Sequence, residues 1–353
     1  MKLIFLSFFL GLTMGLQIGL SQTEVSGLIS SDSSEFIEDL SDALGLKVYA
    51  IDKFNRFSVT DHDLGSSLYY SPNSSLNLGI GATYKWFGLG LAFNFPFINN
   101  DDQVYGNTRR FDAQTSFYGR KFIIDFYLQV YQGYYIENPD EYKNDWTEAD
   151  GYPIRPDIAT TSFAGSFTWI FNHEKFSAKS TFIQTELQKK SAGSLLAGGF
   201  FNLLGVYGDS AIIPNELHQT FKDDLLFNSV SVGGIGISVG YSHTFVIWKN
   251  LNINLTIAPG ISTQSFDVAY PNSDSTKTGN LVSGRVLARA GILYSSRKAF
   301  GGMTVSNDSF SGNTGQNQRN SINFDLGVIR FFYGRRIFFN NKKTADHRPA
   351  VIQ

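Results

Sequence analysis

Lys121–Tyr135 reads KFIIDFYLQVYQGYY. Every second residue from Phe122 gives Phe122, Ile124, Phe126, Leu128 and Val130, a wholly apolar row. The other parity, Lys121, Ile123, Asp125, Tyr127, Gln129 and Tyr131, is mixed, with two charges and an amide. Strand side chains alternate between the two faces of a sheet, so the stretch predicts a β-strand with one greasy and one wet face. In a secreted sandwich the greasy face would cover a core. In a membrane barrel it would face lipid.

The pattern repeats along the chain. Leu76–Trp86, Leu89–Phe97, Arg110–Tyr118, Thr161–Phe171 and Leu251–Ile261 alternate in the same way. Lys175–Glu186, Ser231–Ile247, Gly284–Ser295, Phe300–Asn307 and Ser321–Arg335 do so more weakly. Alternating segments of about ten residues, repeated many times, are the signature of a transmembrane β-barrel. The cleanest segments carry no charge on the apolar parity, where one would cost roughly 2–4 kcal/mol at the bilayer midplane. Tyr84, Trp86, Phe95, Phe97, Trp169, Phe171 and Trp248 stand near segment ends, as interfacial aromatic girdles do. The face opposite the apolar one holds Gly79, Gly81, Gly88 and Gly90, where a soluble sandwich would show more Lys and Glu.

Composition fits this reading. Of 353 residues, 17% are charged, below the usual quarter or so. Aromatics reach 15%, with 32 Phe and 17 Tyr. A net charge of -2 argues against a general nucleic-acid binder. The absence of cysteine excludes disulfides, thiolate metal sites, cysteine nucleophiles and a lipoprotein anchor.

Met1-Lys2, the uncharged run Leu3–Leu20 and the small residues of Gly19-Leu20-Ser21 predict a secretory signal peptide over residues 1–21. No later uninterrupted apolar run is long enough for a spanning helix. Residues 22–63 read as a periplasmic arm or small plug, with a short helix expected over Glu35–Gly45. Residues 64–339 read as the barrel, and 340–353 as a tail. Links at Gly119–Arg120, Lys249–Asn250 and Ser296–Lys298 are tight, while Ile98–Gly106, Tyr134–Asp157 and Asp267–Asn280 are long. Such alternation suits periplasmic turns and external loops and leads to about 12 antiparallel strands. A poorly alternating stretch, Gln188–Asn228, would raise the total to 14 if it held a hairpin.

Tyr70-Ser-Pro-Asn73, Leu78-Gly-Ile-Gly81 and Tyr84-Lys85, with Gly133-Tyr134-Tyr135, Ser191-Ala-Gly-Ser194 and Gly240-Tyr241, resemble the family catalogued as domain of unknown function 4421. The resemblance spans roughly residues 45 to 335. It implies an outer-membrane β-barrel of a Gram-negative bacterium and carries no activity with it.

The chemistry-bearing motifs are sparse. Gly79-Ile-Gly81 and Gly234-Ile-Gly236 lack a third glycine and a following helix, so they read as strand glycines. The five histidines, His62, His173, His218, His243 and His347, show no metal-ligand spacing. His243 falls on the lipid parity of its segment, where a membrane-embedded lipid hydrolase would need a serine partner. The Glu137–Asp157 loop is acidic without EF-hand spacing. Neither a cofactor nor a metal is expected.

Eight charges fall on the mixed parity and are the lumen-facing candidates: Lys85, Arg110, Asp112, Lys121, Asp125, Arg285, Arg289 and Asp325. Arg110 with Asp112 and Lys121 with Asp125 lie on adjacent segments across a tight turn and are candidate pairs. In an open pore such charges set ion selectivity. The sequence therefore leads to an outer-membrane barrel acting as a porin-like channel or passive transporter for small solutes. The alternatives are a plugged structural or surface-interaction barrel, and a lipid hydrolase. Expected partners are outer-membrane lipid and lipopolysaccharide, with small solutes in the lumen.

Overall fold

The computed structural model describes residues 15–20, 33–85, 87–95, 97–141, 145–271, 276–313 and 320–339. The strands in chain order are β1 (Gly15–Leu20), β2 (Ile37–Asp39), β3 (Leu44–Asp61), β4 (Ser66–Ser71), β5 (Asn77–Tyr84), β6 (Phe87–Asn94), β7 (Arg109–Tyr118) and β8 (Phe122–Ile136). They continue with β9 (Ile154–Ile170), β10 (Glu186–Gln188), β11 (Ala192–Tyr207), β12 (Ser229–Trp248), β13 (Leu251–Ala269), β14 (Thr276–Ser295), β15 (Ala299–Asn313) and β16 (Asn320–Ile337). Among the described residues all strand pairings are antiparallel.

Ten strands close a ring in the order β3-β16-β15-β14-β13-β12-β11-β9-β8-β4 and back to β3. The short β4 makes the closure. It pairs with the far end of β3 through Phe57↔Tyr70 to Asp61↔Ser66, and with the end of β8 through Tyr70↔Ile136 and Ser71↔Tyr135. Three strands, β5, β6 and β7, lie outside that ring. This differs from a count of about 12, and the reason is a broken strand. Pro72 has no N–H to give to a ladder, and the chain leaves the sheet there before resuming as β5 against the near half of β3, from Ile51↔Asn77 to Gly45↔Thr83. Asn73 fixes the break, its amide donating to Asp101, Asp102 and the Gly106 carbonyl at 2.9–3.1 Å.

Two further differences concern strand identity. Leu44–Asp61 falls in the segment read as an arm, yet it is a full wall strand paired over its whole length with β16. Lys175–Glu186 is not a strand. Ser177 caps the helix Ala178–Phe182 through a bond from the Ser180 N–H, a Ser cap competing successfully with strand alternation. The wall strand of that region is β11, a single strand where the sequence suggested none or two.

The apolar row of Lys121–Tyr135 points outward. Ile124, Leu128 and Val130 are 40–44% exposed, whereas Asp125, Gln129 and Tyr131 are at most 1% exposed. The same outward row continues through Phe163 and Phe167 on β9, Ile235, Ile237 and Val239 on β12, Leu255 and Ile257 on β13, and Ile292 on β14. An antiparallel ring with an aliphatic exterior is suited to hydrocarbon, because each of its strands pairs with a neighbour on both sides and the ring closes on itself. Among the described residues no helix is long and apolar enough to cross a membrane, which says nothing of a barrel.

Candidate functional site: the lumen

Links between strands define two ends. The short turns β7–β8, β12–β13 and β14–β15 gather at one end, which faces the periplasm in barrels of this kind, and the long loops at the other. At the long-loop end, residues 208–228 fold back into the ring. Ile212, Ile213, Leu217, Phe221, Leu225 and Phe227 are buried in one cluster with the inward Phe57, Tyr70, Tyr131, Tyr134, Phe310 and Phe324. Tyr70 donates its hydroxyl to the Ile212 carbonyl at 2.8 Å, and Arg155 donates to the same carbonyl at 2.7 Å. Lys222 N–H donates to Asp61, and Asn320 to Asp224. This segment is a cap seated in the mouth.

The other end is filled from below. β10 pairs with β2, and Phe176, just before the helix Ala178–Phe182, packs with Phe182 of that helix against Tyr118, Ile123 and Ile170. Glu186 is buried there, accepting from Arg120 and Ser177 at 2.9 and 2.5 Å. Arg336 donates to the Gln184 carbonyl at 2.7 Å.

Between the two fillings lies a polar layer. Asp125 on β8 accepts from Arg289 on β14 at 2.6 Å, from Ser116 at 2.6 Å and from Ser166 at 3.3 Å. β8 and β14 stand five steps apart in either direction around the ten-strand ring, so this ion pair crosses the lumen from one side to the other. Arg285 forks onto Asp308 through two bonds of 2.6 Å, the bidentate geometry that favours arginine over lysine. Its guanidinium lies 4.6 Å over the Phe200 ring. Asp112 gathers Lys53, Tyr131, Gln129 and Gln114 at 3.2, 2.5, 2.8 and 3.1 Å. Asn55 donates to Gln129 and Ser162. A low-dielectric interior makes unpaired charges costly, so this mutual pairing is what permits them to be buried.

Of the eight candidates, Asp112, Asp125, Arg285 and Arg289 take part in this layer. Arg110 is half-buried and donates to the Ser75 carbonyl at 3.4 Å. Lys85 and Lys121 are exposed, because parity alone carries on past a strand end into its turn. Asp325 is turned away from the lumen and accepts from Asn307 at 3.3 Å. Its neighbours Phe324 and Leu326 take the inward places, packing in the same cluster as the cap. The pairs suggested by adjacency do not form: Asp112 bonds Lys53 and Asp125 bonds Arg289. Lys53, Asn55 and Asp308 were missed because their segments read as an arm and a loop. The alternation Lys47, Tyr49, Ile51, Lys53, Asn55, Phe57 was the available signal.

At its short-turn end the lumen holds a cavity of about 160 Å³. Lys47, Tyr49, Lys53 and Arg330 line it on one side, and Gly88, Gly90, Ser116 and Tyr118 on the other. His243 sits on the outer wall, 3.3 Å from the Tyr241 hydroxyl and with its ring 4.2 Å from Phe245. Among the described residues no group of three or more His, Asp or Glu is placed to hold a metal.

A model of the family described as domain of unknown function (DUF4421) matches residues 30–336. The chain belongs to the DUF4421 family. Two of the motifs that carry the resemblance acquire a physical meaning here. Tyr70 and Asn73 anchor the cap and the strand break, and Gly133 forms a bulge in the β8–β9 ladder. No curated protein matches this DUF4421 chain. Among solved structures it is similar to the outer membrane protease OmpT from Escherichia coli, at 8% identity and a TM-score of 0.36, over 86% of this chain and 98% of that one. It is also similar to a Pseudomonas aeruginosa FadL homologue, at 8% identity and a TM-score of 0.22, over 85% and 91%. The Pseudomonas putida toluene transporter TodX gives 9% identity and a TM-score of 0.22, over 84% and 90%.

Proposed function

We propose that this DUF4421 protein is exported with residues 1–21 removed and resides in the outer membrane, its belt in lipid and its long loops beside lipopolysaccharide. It is a barrel closed along its axis, of the plugged structural or surface-interaction kind, and not a general porin. The observation that carries this is the Asp125–Arg289 pair crossing the lumen, with side chains packed above and below it. An open pore needs a continuous water path, and here the cross-section is occupied by mutually bonded side chains that water would have to displace.

The test is solute efflux. Liposomes containing the purified protein and loaded with a small sugar or a small anion should release neither faster than protein-free vesicles. Rapid release of either would overturn the closed reading. Porin-like transport along the axis then has no route, whereas passive transport by another route is favoured by one observation, the cavity beside the strands outside the ring.

A further inference from the structure

At the long-loop end, between the β8–β9 loop and the cap, lies a pocket of about 510 Å³, a volume in the range of small-ligand sites. Trp146, Tyr152 and Arg155 form one wall, and Ser210, Ala211 and Asn215 of the cap form the other. Loops held on a rigid scaffold are the usual place for recognition.

Three segments send aromatic rings here. Tyr105 comes from the helix Asp102–Tyr105, Tyr135 from the end of β8, and Trp146 and Tyr152 from the β8–β9 loop. Tyr105 and Tyr135 lie 4.8 Å apart between ring centroids, and Tyr152 lies 5.1 Å from the first and 5.3 Å from the second. The three tyrosines root the loop. Trp146 stands at the margin of the cluster, half-buried, and among the described residues its ring meets Tyr152 alone, at 5.3 Å. Its indole N–H is committed to the Gly151 carbonyl at 2.8 Å. Asp150 closes the same turn, accepting from the Thr147 N–H and hydroxyl at 2.9 Å. The indole is thus held in place before any ligand arrives, and what it offers the pocket is a ring face. The opposite wall is tied to the same frame, because Arg155 donates to Asp157 at 2.9 and 2.8 Å and to the Ala211 and Ile212 carbonyls at 3.0 and 2.7 Å.

Polar groups stand beside that ring. Ser210 accepts from Arg155 at 3.1 Å and keeps its hydroxyl proton to give. Asn215 exposes an amide and Asp150 a carboxylate. An aromatic face next to separate donors and acceptors suits a ligand that is apolar on one face and hydroxylated around its edge, as a pyranose ring is. The slightly positive C–H face of the sugar meets the negative π face of the indole. Charge selects further. Glu137, Asp140, Glu141, Asp145 and Asp150 are exposed on the same loop, and Arg155 is spent on Asp157, so an anionic sugar is repelled.

Resting on the surface-interaction reading above, we infer that this pocket binds a neutral oligosaccharide, with one ring stacked on Trp146 and its hydroxyls bonded to Asp150, Ser210 and Asn215.

Saturation-transfer difference NMR on the purified protein in phosphatidylcholine nanodiscs tests this. Maltotetraose, cellotetraose, mannotetraose and chitotetraose are the soluble neutral probes. The polysaccharide freed by mild acid from the native cells' lipopolysaccharide is the surface probe, and tetragalacturonic acid is the charged control. We expect transfer to at least one neutral probe, strongest on its ring C–H protons, and little to the charged control. Which arm responds tells a soluble saccharide from one of the cell's own surface. W146A should weaken binding at least about tenfold, and W146F should keep most of it. W248A, which removes an exposed tryptophan of the outer wall, should change nothing. Heat-modifiable migration on a gel selects the variants that have folded. No transfer to any neutral probe, equal transfer to tetragalacturonic acid, or unchanged affinity in folded W146A protein would overturn the inference. Efflux from liposomes reads the axial closure separately, so binding can fail while the barrel stays sealed.

Discussion

Replacing Asp125 by Asn leaves the Arg289 guanidinium buried without its counter-charge, and replacing Arg289 by Met does the same to Asp125. Each single change should destabilise by about 3–5 kcal/mol, the cost of breaking a buried pair. The double replacement D125N/R289M should cost clearly less than the sum. Unfolding by urea, followed by loss of the compact gel form, measures the three variants. Additive losses would mean that the two groups do not meet. Backbone geometry sets a second prediction. Gly133 adopts φ +94, and a Cβ there would lie 2.2 Å from the Asn107 carbonyl oxygen. It marks the register shift between Gln132 and Tyr134 in the β8–β9 ladder, a bulge that glycine allows and other residues strain. Gly133→Ala should lower the urea midpoint, whereas Gly284→Ala, with nothing within 4 Å, should leave it nearly unchanged. At this scale parity made four of the lumen charges legible and failed for Lys85 and Lys121, where it was read beyond the strand end.

The cap over residues 208–228 buries its apolar side chains against the inward face of the ring, and on the closed reading it is the element that seals the mouth. Phe227 is fully buried within it. Phe227→Ala should cost about 3–5 kcal/mol through lost transfer energy and the cavity left behind, and should expose the loop to added protease on intact cells. Resistance equal to the native protein would show that the cap is held by its polar bonds alone. The same cap explains why β11 was obscure in sequence. Its outward Leu195 and Leu203 face the belt, while its inward Leu196, Phe200 and Leu204 face apolar fillings. A strand buried between two apolar surfaces loses its alternation. The helix Ala178–Phe182 was missed for the opposite reason, since its apolar residues happen to fit a two-residue period.

For the whole molecule, the barrel class was legible because lipid imposes one simple rule on every wall strand. Placing Arg at Ile237, in the middle of the outward row of β12, should cost roughly 2–4 kcal/mol in bilayers, read as a reduced yield of folded protein in liposomes. Strand count was less legible, because it depends on where the chain breaks a strand at Pro72 and lets β4 meet β8, a long-range pairing that no local pattern encodes. Whether the lumen is open was beyond the pattern altogether, since it turns on a contact between β8 and β14 that are far apart in sequence. The most direct measurement is the single-channel conductance of the purified protein in planar lipid bilayers. The Asp125–Arg289 crossing and the two fillings predict a silent barrel, and stable conductance steps from the unmodified protein would contradict it.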